Sequence, residues 1–112
     1  MTGNVCRRWT GGSKKGVHFL CPGCNDFHMV TTEGGPPQWS WNGSLERPTF
    51  TPSVLVTYPA NPDADEDFKE WRSERRCHSF VMDGRIQFLG DCTHVLAGQT
   101  VDLPPWPYST ED

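Results

Sequence analysis

Cys21-Pro22-Gly23-Cys24 is the segment whose residue types and spacing point most directly to chemistry. Two thiols at this spacing reach one tetrahedral ion, and the Pro and Gly between them favour a tight turn that aims both sulfurs the same way. The same spacing occurs in thiol redox motifs, but those sit at a helix start in a βαβ setting, whereas this pair tips two β-favouring runs. Further donors lie at His28 and, downstream, at Cys77, His78, Cys92 and His94. The set reads as a Zn2+ site built from Cys21, Cys24, Cys77 and His94, with His78, Cys92 and His28 as alternate ligands.

Two hairpins must position these residues. Val17 to Cys21 and Phe27 to Thr32 read as strands on either side of the Cys-Pro-Gly-Cys knuckle. Cys77 to Leu89 reads as a second hairpin turning at Asp83-Gly84, the strongest short turn signal for paired strands. That turn pairs Val81 with Ile86 and Ser79 with Phe88, and puts Cys77 on their face while His78, Phe80, Gln87 and Leu89 point away. Cys77 then stands at the base of the hairpin and His94 on the chain leaving its opposite strand, so both reach the knuckle. His78, on the other face, is left exposed or paired with Asp91. A His oriented by a carboxylate is the arrangement of a general base, which makes His78 and Asp91 the candidate catalytic residues, with Asp83 a further nearby acid. The plainer alternative is a structural histidine on a strand.

The remaining elements are read from alternation and punctuation. Gln38 to Trp41 suits a half-buried strand with both indoles on one face, Asn42-Gly43 a turn, and residues 53–58 a strand after Pro48 and Pro52. Residues 62–76 read as one helix, because Pro62 suits a first turn, acids lead and Arg72, Arg75 and Arg76 trail; with only Phe68 and Trp71 apolar it belongs on the surface, as an insertion between strands. A last strand is expected within 98–103. Residues 1–15 read as a loose N-terminal arm in which Cys6 is a free thiol, and 104–112 as an extended tail exposing Trp106. The fold class is mainly β: a single zinc-stapled β-sheet domain over residues 1–112, with a zinc-knuckle hairpin and one short surface helix.

Composition agrees with a staple. Of 112 residues only 35% are hydrophobic, while Gly and Pro number 11 and 10, so the core is thin. Met1 to Arg8 reads as a cytosolic start with no charged-then-apolar leader, which favours metal over disulfides for the five cysteines. No apolar run approaches the roughly 20 residues that cross a bilayer. The net charge of −4 disfavours a nucleic-acid partner, since that affinity comes mostly from Lys and Arg neutralising phosphates; Arg7-Arg8, Lys14-Lys15 and Arg72 to Arg76 read as solvated surface.

Cys21-Pro22-Gly23-Cys24 with His28, Trp41-Asn42-Gly43, Arg47-Pro48-Thr49-Phe50-Thr51-Pro52-Ser53, Cys77-His78-Ser79-Phe80, Asp91-Cys92-Thr93-His94 and Ala97-Gly98-Gln99-Thr100 together resemble a family of small phage and prophage proteins of unknown function. The resemblance spans roughly residues 17 to 104. In that family Cys92 is often replaced by Ser, which argues against an obligatory ligand there. Relatives sometimes carry the label ammonia monooxygenase, but this chain lacks the membrane span and the copper-binding array of histidines such chemistry needs. The resemblance implies a phage accessory protein in the host cytoplasm: a structural-zinc binding module that acts by binding a host or phage protein. The alternatives are a zinc-dependent hydrolase using His78 and Asp91, which needs an open coordination position, a nucleic-acid-binding zinc knuckle, and a minor virion component.

Overall fold

A computed structural model of the chain describes residues 3–108. Alternation of apolar and polar residues governs its strands, which form two antiparallel sheets. The first is a meander of β1 (Cys6–Gly11), β2 (Lys14–Cys21) and β3 (Asp26–Glu33). The second runs in chain order through β4 (Ser40–Trp41), β5 (Phe50–Tyr58), β6 (Arg75–Met82), β7 (Arg85–Phe88) and β8 (Thr100–Asp102). One buried cluster joins them: Val17, Phe19, Cys21 and Val30 from the first sheet meet Phe50, Val54, Cys77, Val81, Ile86 and Phe88 from the second. The rings of Phe19 and Phe50 stack across the interface with centroids 6.0 Å apart. Apolar faces buried between sheets are the main stabilising term, and the mainly β class expected from the sequence is what forms.

The β6–β7 hairpin has the expected register, with Val81 opposite Ile86 and Ser79 opposite Phe88. Asp83 and Gly84 both have positive φ, 52° and 78°, as a two-residue turn matching strand twist requires. Cys77 and Ser79 are therefore buried while Phe80 and Met82 are exposed.

Three expectations are corrected. The supposed loose arm contains β1, whose Cys6 is fully buried, donates its thiol to the Leu45 carbonyl at 3.5 Å, and is pushed up to about 12 by burial, against the opposing Arg8 charge. Trp9 of this strand covers Gly16, where an added Cβ would collide with the indole and the Val30 carbonyl; Met1 and Thr2 of the arm lie outside the described residues. The expected helix over 62–76 shrinks to 3₁₀ turns at Glu66–Arg72, broken at Phe68 (φ −125°, ψ 36°) and without a side-chain cap from Asp65. Its charge order suits a helix dipole, but its two apolar residues pack on each other as tilted rings with centroids 4.8 Å apart, and β6 takes Arg75 and Arg76. Trp106 is buried rather than exposed, packed on His18 and Phe27 with centroids 4.6 and 5.1 Å away. The tail beyond Tyr108 lies outside the described residues. Among the described residues no helix is long and apolar enough to cross a membrane.

Candidate functional site

The outer face of the second sheet gathers three residues from distant parts of the chain. In the β5–β6 pair Phe50 lies opposite Val81 and Val54 opposite Ser79, so four steps along β5 match two along β6. The extra residues form a bulge, a device that re-aims a side chain. Ser53 leaves this bulge with its carbonyl held by the Trp39 indole, which donates Nε1–H at 3.1 Å. His78 stands mid-strand on β6 opposite Leu55. Its Nε2 lies 3.1 Å from Ser53 Oγ and its Nδ1 3.3 Å from Asp91 Oδ2.

Asp91 reaches His78 because residues 89–93 are strapped along β6. Leu89 N–H donates to the His78 carbonyl at 2.9 Å, Thr93 N–H to the Arg76 carbonyl at 2.9 Å, and Arg76 N–H to Thr93 Oγ1 at 3.0 Å. The Cys92 thiol accepts the His78 N–H and donates to the His78 carbonyl, each at 3.2 Å. A carboxylate that accepts Nδ1–H leaves the Nε2 lone pair free to take the Ser53 hydroxyl proton, the relation that activates a serine nucleophile. The His78 and Asp91 side chains are 27% and 44% exposed, so the arrangement opens to solvent.

The inner face of β6 carries a different group. Donor atoms of Cys21, Cys24, His28 and Cys77 lie within 4.8 Å of one another, close enough to hold a metal ion. The knuckle is shaped by Asn25, whose positive φ of 55° lets its N–H donate to the Cys21 carbonyl at 2.8 Å, while Cys24 N–H donates to Cys21 Sγ at 3.4 Å. Strand alternation turns His28 and Val30 of β3 inward, and His28 is buried. Hydrogen bonds from Cys21 and then Cys77 hold the Cys24 thiol far below its ordinary value, against burial. The Cys21 and Cys24 sulfurs, together with burial, push Cys77 far above it. Burial pulls His28 down, yet the neighbouring Cys21 and Cys24 sulfurs override it and raise the imidazole to about 9. Three thiols and an imidazole gathered this closely are the donor set of a tetrahedral metal site. Both His28 ring nitrogens are buried without a hydrogen-bond partner, which fits a ligand.

The residues expected to complete the metal site are distributed differently. Cys77 joins Cys21 and Cys24, and so does His28, an expected alternate. His94, the expected fourth ligand, forms a second group with Cys77 and Cys92 that shares Cys77 with the first, and its Nε2 is likewise buried without a hydrogen-bond partner. Its Nδ1 accepts Leu96 N–H at 3.2 Å, its ring meets Phe88 edge-on at 4.5 Å, and it covers Gly23, where any Cβ would strike the imidazole. His78, the other alternate, faces Ser53 and Asp91. Asp83 sits in the hairpin turn, its N–H bonded to Thr49 Oγ1 at 2.8 Å. Ser53 was not singled out by the sequence. Its only local signal is the broken strand Pro48-Thr49-Phe50-Thr51-Pro52, where two prolines mark an interruption of pairing. Arg7 and Arg8 are successive on β1 and so face opposite sides, with Arg8 over the Trp41 ring at 5.5 Å, which denies the chain a joint basic face there.

No curated protein and no solved structure matches the chain. One family model does, over residues 3–89, and its description is "Bacterial ubiquitination-like system serine protease (BubE)". This overturns the expectation of an accessory module that works by zinc-stapled binding alone, because the family is described by a hydrolytic activity. The expected small family holds in part: it is described by a bacterial system, not as phage proteins of unknown function. The match covers most of the chain, which therefore belongs to the BubE family of bacterial ubiquitination-like system serine proteases.

Proposed function

We propose that this chain is a serine protease in which Ser53 is the nucleophile, His78 the general base and acid, and Asp91 the carboxylate that orients His78. The observation that carries the reading is the continuous chain Ser53 Oγ, His78 Nε2, His78 Nδ1, Asp91 Oδ2, with links of 3.1 and 3.3 Å. Ser53 Oγ attacks the scissile carbonyl carbon as its proton passes to His78 Nε2. That proton then leaves with the departing amine, and water, deprotonated by the same nitrogen, releases the acid and restores the hydroxyl. Asp91 holds the tautomer and balances the imidazolium. Leu55, Phe80 and Met82, exposed on the same face, offer apolar contact to a polypeptide. The family description supports a substrate that is itself a protein of a ubiquitination-like system.

The metal is assigned as zinc, bound by Cys21, Cys24, His28 and Cys77. Three thiols and one imidazole favour it over harder cations, and four protein donors make a closed, structural shell. The cluster braces both sheets from inside, and the two sheets with their shared core are read as one folding unit. Five free cysteines support a reducing compartment such as the cytoplasm.

A fluorophosphonate, which phosphonylates activated serines, tests the reading. Peptide mapping is expected to find the adduct on Ser53, with Ser53→Ala unlabelled and still holding one zinc per chain. Labelling at another serine, or peptidase activity surviving in Ser53→Ala, would sink it.

A further inference from the structure

We infer that Cys92 is a positioning residue of this site, its thiol clamping the Asp91 loop to the backbone of His78. The inference rests on the reading of Ser53, His78 and Asp91 as the reacting residues. Asp91 is exposed and follows Gly90, around which no atom would obstruct even an added Cβ. Its neighbour Cys92 is 9% exposed and adds a side-chain hold between the backbone bonds by which Leu89 and Thr93 tie the loop to β6. Sγ accepts from His78 N–H and donates to the His78 carbonyl, both at 3.2 Å, so one side chain grips both polar groups of the residue whose ring Asp91 must orient. Cys92 N–H also closes the loop on the Leu89 carbonyl at 3.2 Å.

The same contacts separate this role from metal binding. Cys92 lies close enough to Cys77 and His94 to form a possible ligand group. Sγ lies against both backbone groups of His78, whereas the proposed zinc shell is already filled by Cys21, Cys24, His28 and Cys77.

Two substitutions distinguish clamping from packing. Cys92→Val keeps apolar bulk and removes both hydrogen bonds, whereas Cys92→Ser keeps a donor and an acceptor in a smaller atom. With a p-nitrophenyl ester as probe, Cys92→Val is expected to lower kcat about tenfold with KM little changed, the scale of a modest loss in transition-state stabilisation. Cys92→Ser is expected to stay near wild type, and both variants to keep the wild-type metal content. In an Asp91→Ala background the Cys92→Val effect is expected to vanish, because a residue that acts through Asp91 has nothing left to position. The inference is overturned if Cys92→Ser is the slower variant, if the Val effect persists without Asp91, or if either variant loses the metal. Absence of a fluorophosphonate adduct on Ser53 of the wild-type protein is the separate result that removes the underlying reading.

Discussion

Cys77 and His78 are consecutive on one strand and belong to different chemistries. Cys77 is buried, 1% exposed, and turns inward to the sulfur cluster; His78 is partly exposed and turns outward to Ser53 and Asp91. The alternation of a β-strand makes this separation unavoidable, since successive side chains leave opposite faces. The two faces also differ in what assembles them. The inner cluster is seeded by a local turn and tightened by the core, whereas the outer site depends on a bulge in β5, one strand position in β6 and a strapped loop after β7. A shared strand links the two proposed sites: a metal held by the cluster behind β6 would fix the backbone that presents the histidine in front.

The largest effects should come from breaking each face separately. Cys77→Ser removes an inner ligand and is expected to lose zinc and more than about 4 kcal/mol of stability, the range reached when a structural metal site fails. Elemental analysis and thermal unfolding check this. His78→Ala is expected to keep the zinc and the wild-type melting temperature while lowering kcat/KM on the order of 10⁴-fold. A metal-depleted His78→Ala protein would show that the two faces are not separable.

Next in size is the orienting carboxylate. Asp91→Asn keeps shape and removes charge, and is expected to lower kcat about a hundred- to a thousandfold, because an amide can favour the tautomer that blocks Nε2 from accepting the serine proton. The melting temperature should not move, as Asp91 is exposed and its contact with His78 is half in solvent. Steady-state kinetics with the ester probe decides it; an unchanged kcat would place the orienting role elsewhere.

The difference between the faces also determines what was legible in the sequence. The knuckle is a short-range pattern, and Asp83-Gly84 sets a register from which the opposite orientations of Cys77 and His78 follow. The pairing of His78 with Asp91 was within reach for the same reason. Ser53 was not: it meets His78 through β5–β6 pairing across 25 residues and through a bulge that no local spacing announces. His28 was available as an inward residue of the alternating run Phe27-His28-Met29-Val30, but His94 competed because both can approach the knuckle. β1 was hidden by its charges, since Arg7 and Arg8 mask the burial of Cys6 and the covering of Gly16 by Trp9. The helix was overread because charge order at its ends is cheap to satisfy, while two apolar residues cannot anchor a longer helix.

The smallest effect expected is the one that tests whether the faces communicate. Trp39 joins the first sheet, which carries three of the four donors of the inner cluster, to the outer site: its backbone N–H donates to the Thr31 carbonyl of β3 at 2.8 Å, and its indole donates to the Ser53 carbonyl at 3.1 Å. Trp39→Phe keeps an aromatic ring in the half-buried site and deletes only the indole donor, worth about 1 kcal/mol. If that bond aims the β5 bulge, kcat should fall by about fivefold with zinc content unchanged. Fluorophosphonate labelling of Ser53 should slow by a similar factor, because the reagent reads the readiness of the hydroxyl without needing a substrate chain. An unchanged labelling rate would mean that pairing with β6 alone holds Ser53 in line with His78. The first sheet would then contribute to the reaction only through the sulfur cluster behind Cys77.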